Sequence, residues 1–546
     1  MKIKQFLFRN YPEIIVLALG SIFGFFLMFS TFSSMDGNMI ISSKAWSDFA
    51  SHIPLIRSFS LGSNFPVEYP LFPGEPIKYH FIFYYLVGLL EKIGLNIGLA
   101  LNIPSFIGFM FLLFMIYYFS KEVFKSKAVG ILSTIFFLFN SSLSYIYFFK
   151  KYPLSKETID QLITNADFLS FAPYGDGIVS AFWNLNIYTN QRHLAISFAL
   201  SLFIIYQVIK PVLNREQSKT KIYIALGSIL GLSFFLHTAV FLMTGIILLA
   251  LLTYFSKIRK DTFILLATAG LISIPQYLYL SGSPGFSPHL QLGYLISGNL
   301  TLQNFSEFWI YNLGLSLILI PLGFIFANRV QKKILLAFFM LFLVGNFIQF
   351  SIEIASNHKF FNYFLIIGNM FSAFTLVSLI KQKNYLITFI PILFFFMILG
   401  GLIDIFPILN DRKFELTDYT INKDTNWILN NTNPDSIFLN STYLYNPASL
   451  AGRKIFMGWP YFAWSAGYDT NKRGEIMKQI LGANDKLTAC KLLIKNNIDY
   501  VEIKIQTPPD PNIPPISELY KSEFVKSYEN PENNYSIYTV NKNCLL

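Results

Sequence analysis

The stretch EIIVLALGSIFGFFLMFSTFS, residues 13–33, decides the class of fold. It is about 20 apolar residues long, which is the length an α-helix needs to cross the hydrocarbon core of a bilayer. Lys2, Lys4 and Arg9 precede it. The run is too long for the core of a secretory signal, and no small-x-small cleavage pattern follows it. We therefore predict an uncleaved first transmembrane helix with its N-terminus inside.

The composition of the whole chain agrees with a protein that crosses the membrane many times. The 546 residues have a net charge of +11, a mean hydropathy of +0.47, 53% hydrophobic residues and 13% charged residues. These values exclude an ordinary soluble protein. The basic residues lie in short segments between apolar runs, as in cytoplasmic loops. The positive charge therefore does not indicate a nucleic-acid partner.

Further apolar runs follow the first, so the sequence predicts a mainly α, multi-pass bundle of about eleven transmembrane helices. The Lys and Arg content of the loops places the N-terminus in the cytoplasm and the C-terminal part outside the plasma membrane. The predicted spans are 13–33, 97–119, 128–149, 193–209, 222–236, 238–255, 262–281, 308–327, 334–353, 361–381 and 385–406.

A long outer loop is predicted at residues 34–96. It contains a predicted helix at 45–59, AWSDFASHIPLIRSF, and then several prolines between 66 and 76 that keep the chain extended. The segment 79–94 could also cross the membrane, but a span there would invert the charge alternation of every later loop. We therefore interpret it as an interfacial or re-entrant helix.

The composition changes near residue 410, which divides the chain into a predicted transmembrane domain, 1–409, and a predicted extracytoplasmic α/β domain, 410–546. In the second part, SIFLN, DYVEIK and YSIYTV are typical of strands, and NKRGEIMKQILGA and DKLTACKLLIKNN are typical of helices. Cys490 and Cys544 lie in this part and could form one disulfide if it is outside the cytosol.

The histidines of the chain are predicted to lie on or near the outer side of the membrane. Titratable groups collected at one interface indicate binding or chemistry there. The six are His52, His80, His193, His237, His289 and His358.

The strongest catalytic candidate is Asp48 in the loop helix. At a spacing of four residues Asp48 and His52 share one helix face, provided that Pro54 does not end the helix. Asp48 could take a proton from an acceptor hydroxyl, and Asp36 is the second candidate for this role. A structural alternative is an acidic residue that satisfies helix N-terminal donors. Asp36, Asp48 and His52 could instead bind a divalent cation, and the sequence indicates no other cofactor.

Basic side chains at the predicted outer ends of spans could bind a phosphate group. Arg and His in NQRHL and Lys in NHKFFN suit this role. The structural alternatives are a snorkelling Arg, a buried His bonded to a neighbouring helix, and contacts with lipid headgroups. The predicted substrate-binding residues of this region are His52, Tyr79, His80, Arg192, His193, His237, His358 and Lys359.

No nucleotide-binding or soluble hydrolase motif was found: Walker loop, GxGxxG after a strand, HExxH, CxxC and GxSxG are absent from the sequence. ATP-driven transport and soluble-nucleotide chemistry are therefore disfavoured.

Several motifs together make the chain resemble GT-C-type membrane glycosyltransferases, which include protein O-mannosyltransferases and the bacterial aminoarabinose transferase. The resemblance rests on residues 46–81, WSDFASHIPLIRSFSLGSNFPVEYPLFPGEPIKYHF, and on NQRHLA, LHTAVF, NHKFFNYF and AGRKIFMGWPYFAWSAGYD. It implies a helical membrane bundle whose first outer loop carries a catalytic Asp. Asp48 is the first choice by position and Asp36 the second.

The resemblance also implies the reaction, an inverting transfer of a sugar from a polyprenyl-phosphate-linked donor to a glycan, lipid or protein acceptor. Arg192, His193, His237 and Lys359 would surround the donor phosphate, and Arg453 could close the site from the outer domain. The superfamily often has adjacent acidic residues, and neither Asp36 nor Asp48 has such a neighbour. Two other functions therefore stay open, a lipid-linked-glycan transporter or flippase and a non-catalytic scaffold of envelope assembly.

Overall fold

The apolar helices form a bundle. The computed structural model describes residues 2–140, 142–169, 180–280, 288–296, 298–382, 385–505 and 513–541. Within these residues seven helices are long and apolar enough to cross a membrane, or eight if one bent pair is a single span. The chain is thus a polytopic helical membrane protein. The total of about eleven spans and the orientation stay predictions.

Apart from the segments predicted at 128–149 and 308–327, the helices of the bundle coincide with the predicted apolar runs. Their packing is close where small residues face a neighbour: a Cβ on Gly227 would lie 2.5 Å from the carbonyl oxygen of Leu265. Such small-residue contacts let membrane helices approach one another. The helices are Lys2–Thr31, Ile97–Phe124, Lys127–Leu138, Leu194–Leu213, Thr220–Leu232, Thr238–Tyr254, Arg259–Leu280, Leu302–Leu313, Ser316–Phe326, Arg329–Phe347, His358–Gln382 and Ile390–Leu409.

The segment predicted as a span at 128–149 differs from the prediction. Its helix ends at Leu138, and a separate short helix, Tyr145–Lys151, follows. Polar residues between the two, among them Asn140 and Ser142, compete for backbone hydrogen bonds and disfavour a continuous helix.

The segment predicted at 308–327 is broken. Leu302–Leu313 and Ser316–Phe326 meet at an angle of 85°. Gly314 stands at the break with φ 52° and ψ −134°, a conformation that a side chain would strain. The bend therefore depends on this glycine.

The first outer loop begins with a hairpin. Phe32–Met35 pairs with Asn38–Ser42 in antiparallel register, and Lys413–Thr417 adds a third antiparallel strand from the far end of the bundle. A smaller antiparallel pair, Glu68–Tyr69 and Phe72–Pro76, follows later in the loop. The loop is thus tied to the chain that leaves the last helix.

Two helices of the loop match the predictions. Trp46–Ser60 is helical through Pro54, and Ile82–Lys92 lies within the segment interpreted as interfacial or re-entrant. The two pack closely, since a Cβ on Gly88 would lie 2.9 Å from the carbonyl oxygen of Ile56. Asp48 and His52 therefore lie on one continuous helix. Four short helices connect later elements: Thr158–Ile163, Ser180–Trp183, Asn186–Asn190 and Leu519–Glu523.

Beyond the last apolar helix the chain builds a five-stranded mixed sheet with helices around it. The sheet order is Val525–Asn530, Tyr535–Thr539, Tyr500–Lys504, Ile437–Leu439 and Lys454–Ile455, antiparallel for the first three strands and parallel for the rest. Its helices are Lys423–Asn431, Pro447–Leu450, Pro460–Ser465, Thr470–Leu481 and Lys486–Lys495. The runs predicted as strands and helices have those structures. Cys490 is buried, and Cys544 lies outside the described residues.

The first loop and this C-terminal part share one hydrophobic core, which includes Phe49 and Ile56 from the loop and Phe438 from the sheet. A buried ion cluster also joins them: Arg57 lies 2.7 Å from Asp418 and 3.2 Å from Glu91. Charges buried in this way hold a geometry strongly, because removing one partner leaves the other unpaired. The loop is therefore held from both sides.

Candidate active site

Asp48 lies in the first turn of the helix Trp46–Ser60 and is partly exposed. Burial raises the pKa of its carboxyl from 3.8 to about 6; the positive charge of Lys359 opposes this effect and the negative charge of Glu353 adds to it. A carboxylate with a pKa just below neutral is ionised at pH 7 and still basic enough to accept a proton.

One helical turn later, His52 is buried and faces other rings. Its ring lies 4.7 Å from that of Tyr84 and 6.2 Å from that of His193, centroid to centroid. Burial lowers the pKa of His52 to about 3, and the nearby charge of Arg192 acts in the same direction. His52 is thus a neutral imidazole beside Asp48 rather than a cation for phosphate.

Three histidines from distant segments meet next to His52. We call His80, His193 and His237 the histidine cluster. Their ligand nitrogens all lie within 4.8 Å of one another, and all three side chains are buried. His80 Nε2 and His193 Nε2 are 2.7 Å apart, and the His80 ring stacks on that of Tyr79 with centroids 3.9 Å apart. Three imidazoles at this spacing could hold a metal ion.

The elements that carry the cluster explain why it forms. His80 precedes the loop helix Ile82–Lys92, and His193 is the residue before the helix Leu194–Leu213. His237 has extended backbone, φ −166° and ψ 97°, at the break before Thr238–Tyr254. Each imidazole thus sits at an element end, where side chains converge.

Lys359 connects the cluster to Asp48. It lies in the first turn of the helix His358–Gln382, is partly exposed, and is within electrostatic range of Asp48 and of the three imidazoles. Its neighbour His358 has other contacts, stacking on Phe182 with centroids 4.8 Å apart and hydrogen-bonding to Asn362. Of these two predicted residues, Lys359 is within electrostatic range of Asp48 and of all three imidazoles, whereas His358 is within range of His237 alone among these groups.

Arg192 is buried beneath the site, and its guanidinium bonds to the protein. Its donors reach the carbonyl oxygen of Thr189, the sulfur and carbonyl oxygen of Met28, Asn102 Oδ1 and Thr31 Oγ1, over distances from 2.6 to 3.2 Å. An arginine has five N–H donors, so these contacts use its capacity. Arg192 therefore joins the first helix to the mouth of the bundle instead of offering donors to a phosphate.

Arg453, in the C-terminal part, also has its guanidinium donors occupied by protein groups. It is 2% exposed and donates to Thr432 Oγ1 and to the carbonyl oxygens of Leu61, Ala451, Leu429 and Thr432. Its bond to Leu61 connects the sheet to the first loop. Its guanidinium is engaged by the protein.

Asp36 and His289 lie apart from this arrangement. Asp36 is exposed at the tip of the first hairpin with φ 50°, where a short polar side chain is tolerated. His289 is exposed in a two-residue strand that pairs with Gln349. The catalytic role predicted for Asp36 as a second choice stays a prediction.

Two residues at the site, Tyr84 and Glu353, were not among the sequence candidates. Tyr84 hydrogen-bonds His193 Nδ1 through its hydroxyl at 2.9 Å. The negative charge of Glu353 raises the pKa of Asp48, and the Glu353 carboxylate accepts a hydrogen bond from the hydroxyl of Tyr461 in the C-terminal part. Tyr84 follows His80 by four residues, and Glu353 is an acid at the predicted outer end of an apolar run, so both carried a readable signal.

No known family model matches this sequence, and no curated protein matches it. The structure is similar to archaeal oligosaccharyltransferases of Archaeoglobus fulgidus, which are GT-C superfamily membrane glycosyltransferases. Against AglB in complex with an inhibitory peptide and a dolichol-phosphate, the TM-score is 0.45 and the identity 13%, covering 98% of this chain and 75% of that chain. Against the oligosaccharyltransferase in complex with Zn and sulfate, they are 0.47 and 13%, covering 96% and 73%. Because these TM-scores are below 0.5, no residue role is carried over from these proteins.

Proposed function

We propose that this chain is a membrane glycosyltransferase that moves a sugar from a polyprenyl-phosphate-linked donor to an acceptor on the outer face of the membrane. The observation that carries the proposal is Asp48, a partly exposed carboxylate on the first loop with a pKa of about 6 and the cation of Lys359 nearby. This pairing supplies a base for an acceptor and a positive charge for a phosphate.

In the proposed reaction the Asp48 carboxylate accepts the proton of an acceptor hydroxyl. The acceptor oxygen forms a bond to the anomeric carbon from the face opposite the phosphate, while the bond from that carbon to the phosphate oxygen breaks. Polyprenyl phosphate leaves with the electron pair of that bond, and its new negative charge is stabilised by Lys359. The configuration of the sugar is inverted.

The engaged guanidinium groups of Arg192 and Arg453 support Lys359 as the main cation for the donor. In this proposal the bonds of Arg192 to the first helix fix one side of the site, and the histidine cluster lines another side. His52 and Tyr79, which lie beside Asp48 and His80, are proposed sugar contacts.

The C-terminal part is proposed to form the extracytoplasmic cover of the site. The Tyr445 hydroxyl donates a 2.6 Å hydrogen bond to the carbonyl oxygen of Trp46, two residues before Asp48. Tyr461 reaches Glu353 in the same way from a different helix. An acceptor glycan, lipid or protein would therefore enter between the C-terminal part and the helical bundle.

The proposal is tested with the full chain purified in detergent and a panel of radiolabelled polyprenyl-phosphate sugars. Matched polyprenyl-pyrophosphate and nucleotide sugars serve as donor controls, and solubilised envelope fractions supply acceptors. We expect one polyprenyl-phosphate sugar to be transferred and free polyprenyl phosphate to accumulate, with less of both in Asp48→Asn. Release of label by the two control classes alone would contradict the donor class. Movement of an intact donor between leaflets of proteoliposomes, without transfer, would favour the flippase alternative.

A further inference from the structure

The histidine cluster contains buried ring nitrogens whose hydrogen-bonding capacity the protein does not satisfy. Its members are 9%, 0% and 1% exposed for His80, His193 and His237. Both ring nitrogens of His237 lack a hydrogen-bond partner although they are buried. A buried polar atom without a partner costs free energy, so a group with two such atoms indicates a ligand at the site.

The orientation of His193 is fixed in the manner of a metal ligand. Its Nδ1 is held by the hydroxyl of Tyr84, and its Nε2 faces His80 Nε2. Metal-bound imidazoles characteristically use one nitrogen for the ion and bond the other to a polar neighbour, which sets the tautomer and the ring angle. Tyr84 occupies the position of that neighbour.

The distances fit an ion after a small movement. A tetrahedral zinc ion with Zn–N bonds of about 2.0–2.1 Å keeps its ligand nitrogens about 3.3 Å apart. The His80 and His193 nitrogens are 2.7 Å apart, and all three ligand atoms lie within 4.8 Å. Opening the first distance by about 0.6 Å and closing the longer ones brings the set to this geometry.

The ligand type selects the metal class. Neutral imidazole nitrogens favour zinc and its transition-metal neighbours, whereas magnesium and calcium prefer oxygen ligands. The ligand group found among the described residues contains nitrogen atoms only. A three-histidine set also leaves a fourth coordination position for water or an oxygen ligand, as in catalytic zinc sites.

We propose that His80, His193 and His237 bind a divalent transition-metal ion of the zinc class, with Tyr84 as the positioning residue of His193. This differs from the cation site that the sequence suggested at Asp36, Asp48 and His52, since Asp36 lies at an exposed hairpin tip. A further part of the inference rests on the proposed function. The open position of the ion takes a phosphate oxygen of the donor, next to Lys359.

The test measures metal binding without using transfer activity. The full chain is purified in detergent, treated with a chelator, and dialysed against zinc or cobalt(II). We expect zinc equimolar with the chain by elemental analysis, a visible absorption spectrum of four-coordinate cobalt, and a higher thermal unfolding midpoint with metal than without it. Magnesium should not displace the cobalt.

Variants separate this site from adventitious binding. His237→Phe removes a ligand but breaks no hydrogen bond of the ring, so it is expected to fold and to lose the bound metal. His289→Phe, at an exposed histidine, is the matched control and should keep it. Tyr84→Phe should weaken zinc binding about tenfold while the cobalt spectrum is retained.

Absence of equimolar metal in the wild type overturns the proposal, and so does undiminished binding in His237→Phe. If His237→Phe does not fold, two other results decide whether the histidine cluster binds the metal. A four-coordinate cobalt spectrum in the wild type and weaker zinc binding in Tyr84→Phe support the site, and the absence of either overturns it. Metal binding together with an absence of sugar transfer would count against the proposed function only. Sugar transfer by a metal-free chain would overturn only the role of the ion toward the donor phosphate, and the metal measurements would still decide whether the histidine cluster binds an ion.

Discussion

Removing the positive charge of Lys359 is expected to move the acid limb of the pH profile of sugar transfer to higher pH. Burial raises the pKa of Asp48 to about 6, and Lys359 acts against this rise while Glu353 adds to it. Lys359→Met therefore raises the pKa of Asp48 further, and Glu353→Gln lowers it. The proposed base acts only when ionised, so the two variants should move the limb in opposite directions.

The size of the effect follows from the ionised fraction. With a pKa of about 6, half of Asp48 is ionised at pH 6; a rise to about 7 leaves about one molecule in eleven ionised there, a fivefold loss. Glu353→Gln increases the ionised fraction at pH 6 by less than about twofold. Near pH 8 Asp48 is ionised in the wild type, in Lys359→Met and in Glu353→Gln. The rate of each protein at lower pH is therefore divided by its own rate at pH 8.

The assay is kcat/KM against pH, because this ratio reports the ionisation of the free enzyme. Lys359→Met also loses the proposed contact with the phosphate of the sugar donor. The loss of this contact lowers kcat/KM at every pH and by itself does not shift the acid limb; only the change in the pKa of Asp48 does. Lys521→Met removes an exposed cation paired with Glu518 far along the C-terminal part and is the charge control. If the acid limb of kcat/KM stays in place in both variants, or moves in the same direction in both, Asp48 is not a base whose pKa is set by Lys359 and Glu353.

Three further predictions concern the frame of the site. Arg57→Met leaves two carboxylates without their cation and should lower the free energy of unfolding by about 3–5 kcal/mol, whereas Lys423→Met, at a fully exposed pair, should change it far less; thermal unfolding in detergent compares them. Arg192→Lys should lower stability by roughly 2–4 kcal/mol and leave the donor KM within about twofold, because the lost bonds are to the protein; a raised KM at unchanged stability would be the opposite result. Burial raises the pKa of Glu502 from 4.5 to about 7, so the folded state keeps a proton that the unfolded state releases, and stability should fall as pH rises from about 5 to 8; Glu502→Gln should flatten this dependence in unfolding measured at each pH.

Much of the architecture is readable from the sequence because apolar length and turn residues act locally. The run at 97–119 and the helix at 45–59 were predictable from periodicity and length alone. The break at Gly314 was less so, because a single glycine inside an apolar run is compatible with either a straight or a bent helix. Tertiary packing decides between them.

The candidate site was predictable as a set of residue types but not as a geometry. Asp48 and Lys359 were recognisable as charged groups at membrane ends, and the structure brings them within electrostatic range. The histidine cluster unites residues 80, 193 and 237, which share no sequence spacing that a metal motif would have. Arg192 shows the converse, because only the fold reveals that its donors are already used.

Sugar transfer by Asp48→Asn, compared with Asp36→Asn and the wild type, tests the central claim most directly. All three are assayed at the same pH, in the same detergent and with the same metal content, after size-exclusion and thermal unfolding have shown equal folding. The account predicts a loss of about 10²–10⁴-fold in Asp48→Asn, the range for removal of a general base, and an unchanged rate in Asp36→Asn. Full transfer by Asp48→Asn, or its loss in Asp36→Asn alone, would contradict the account.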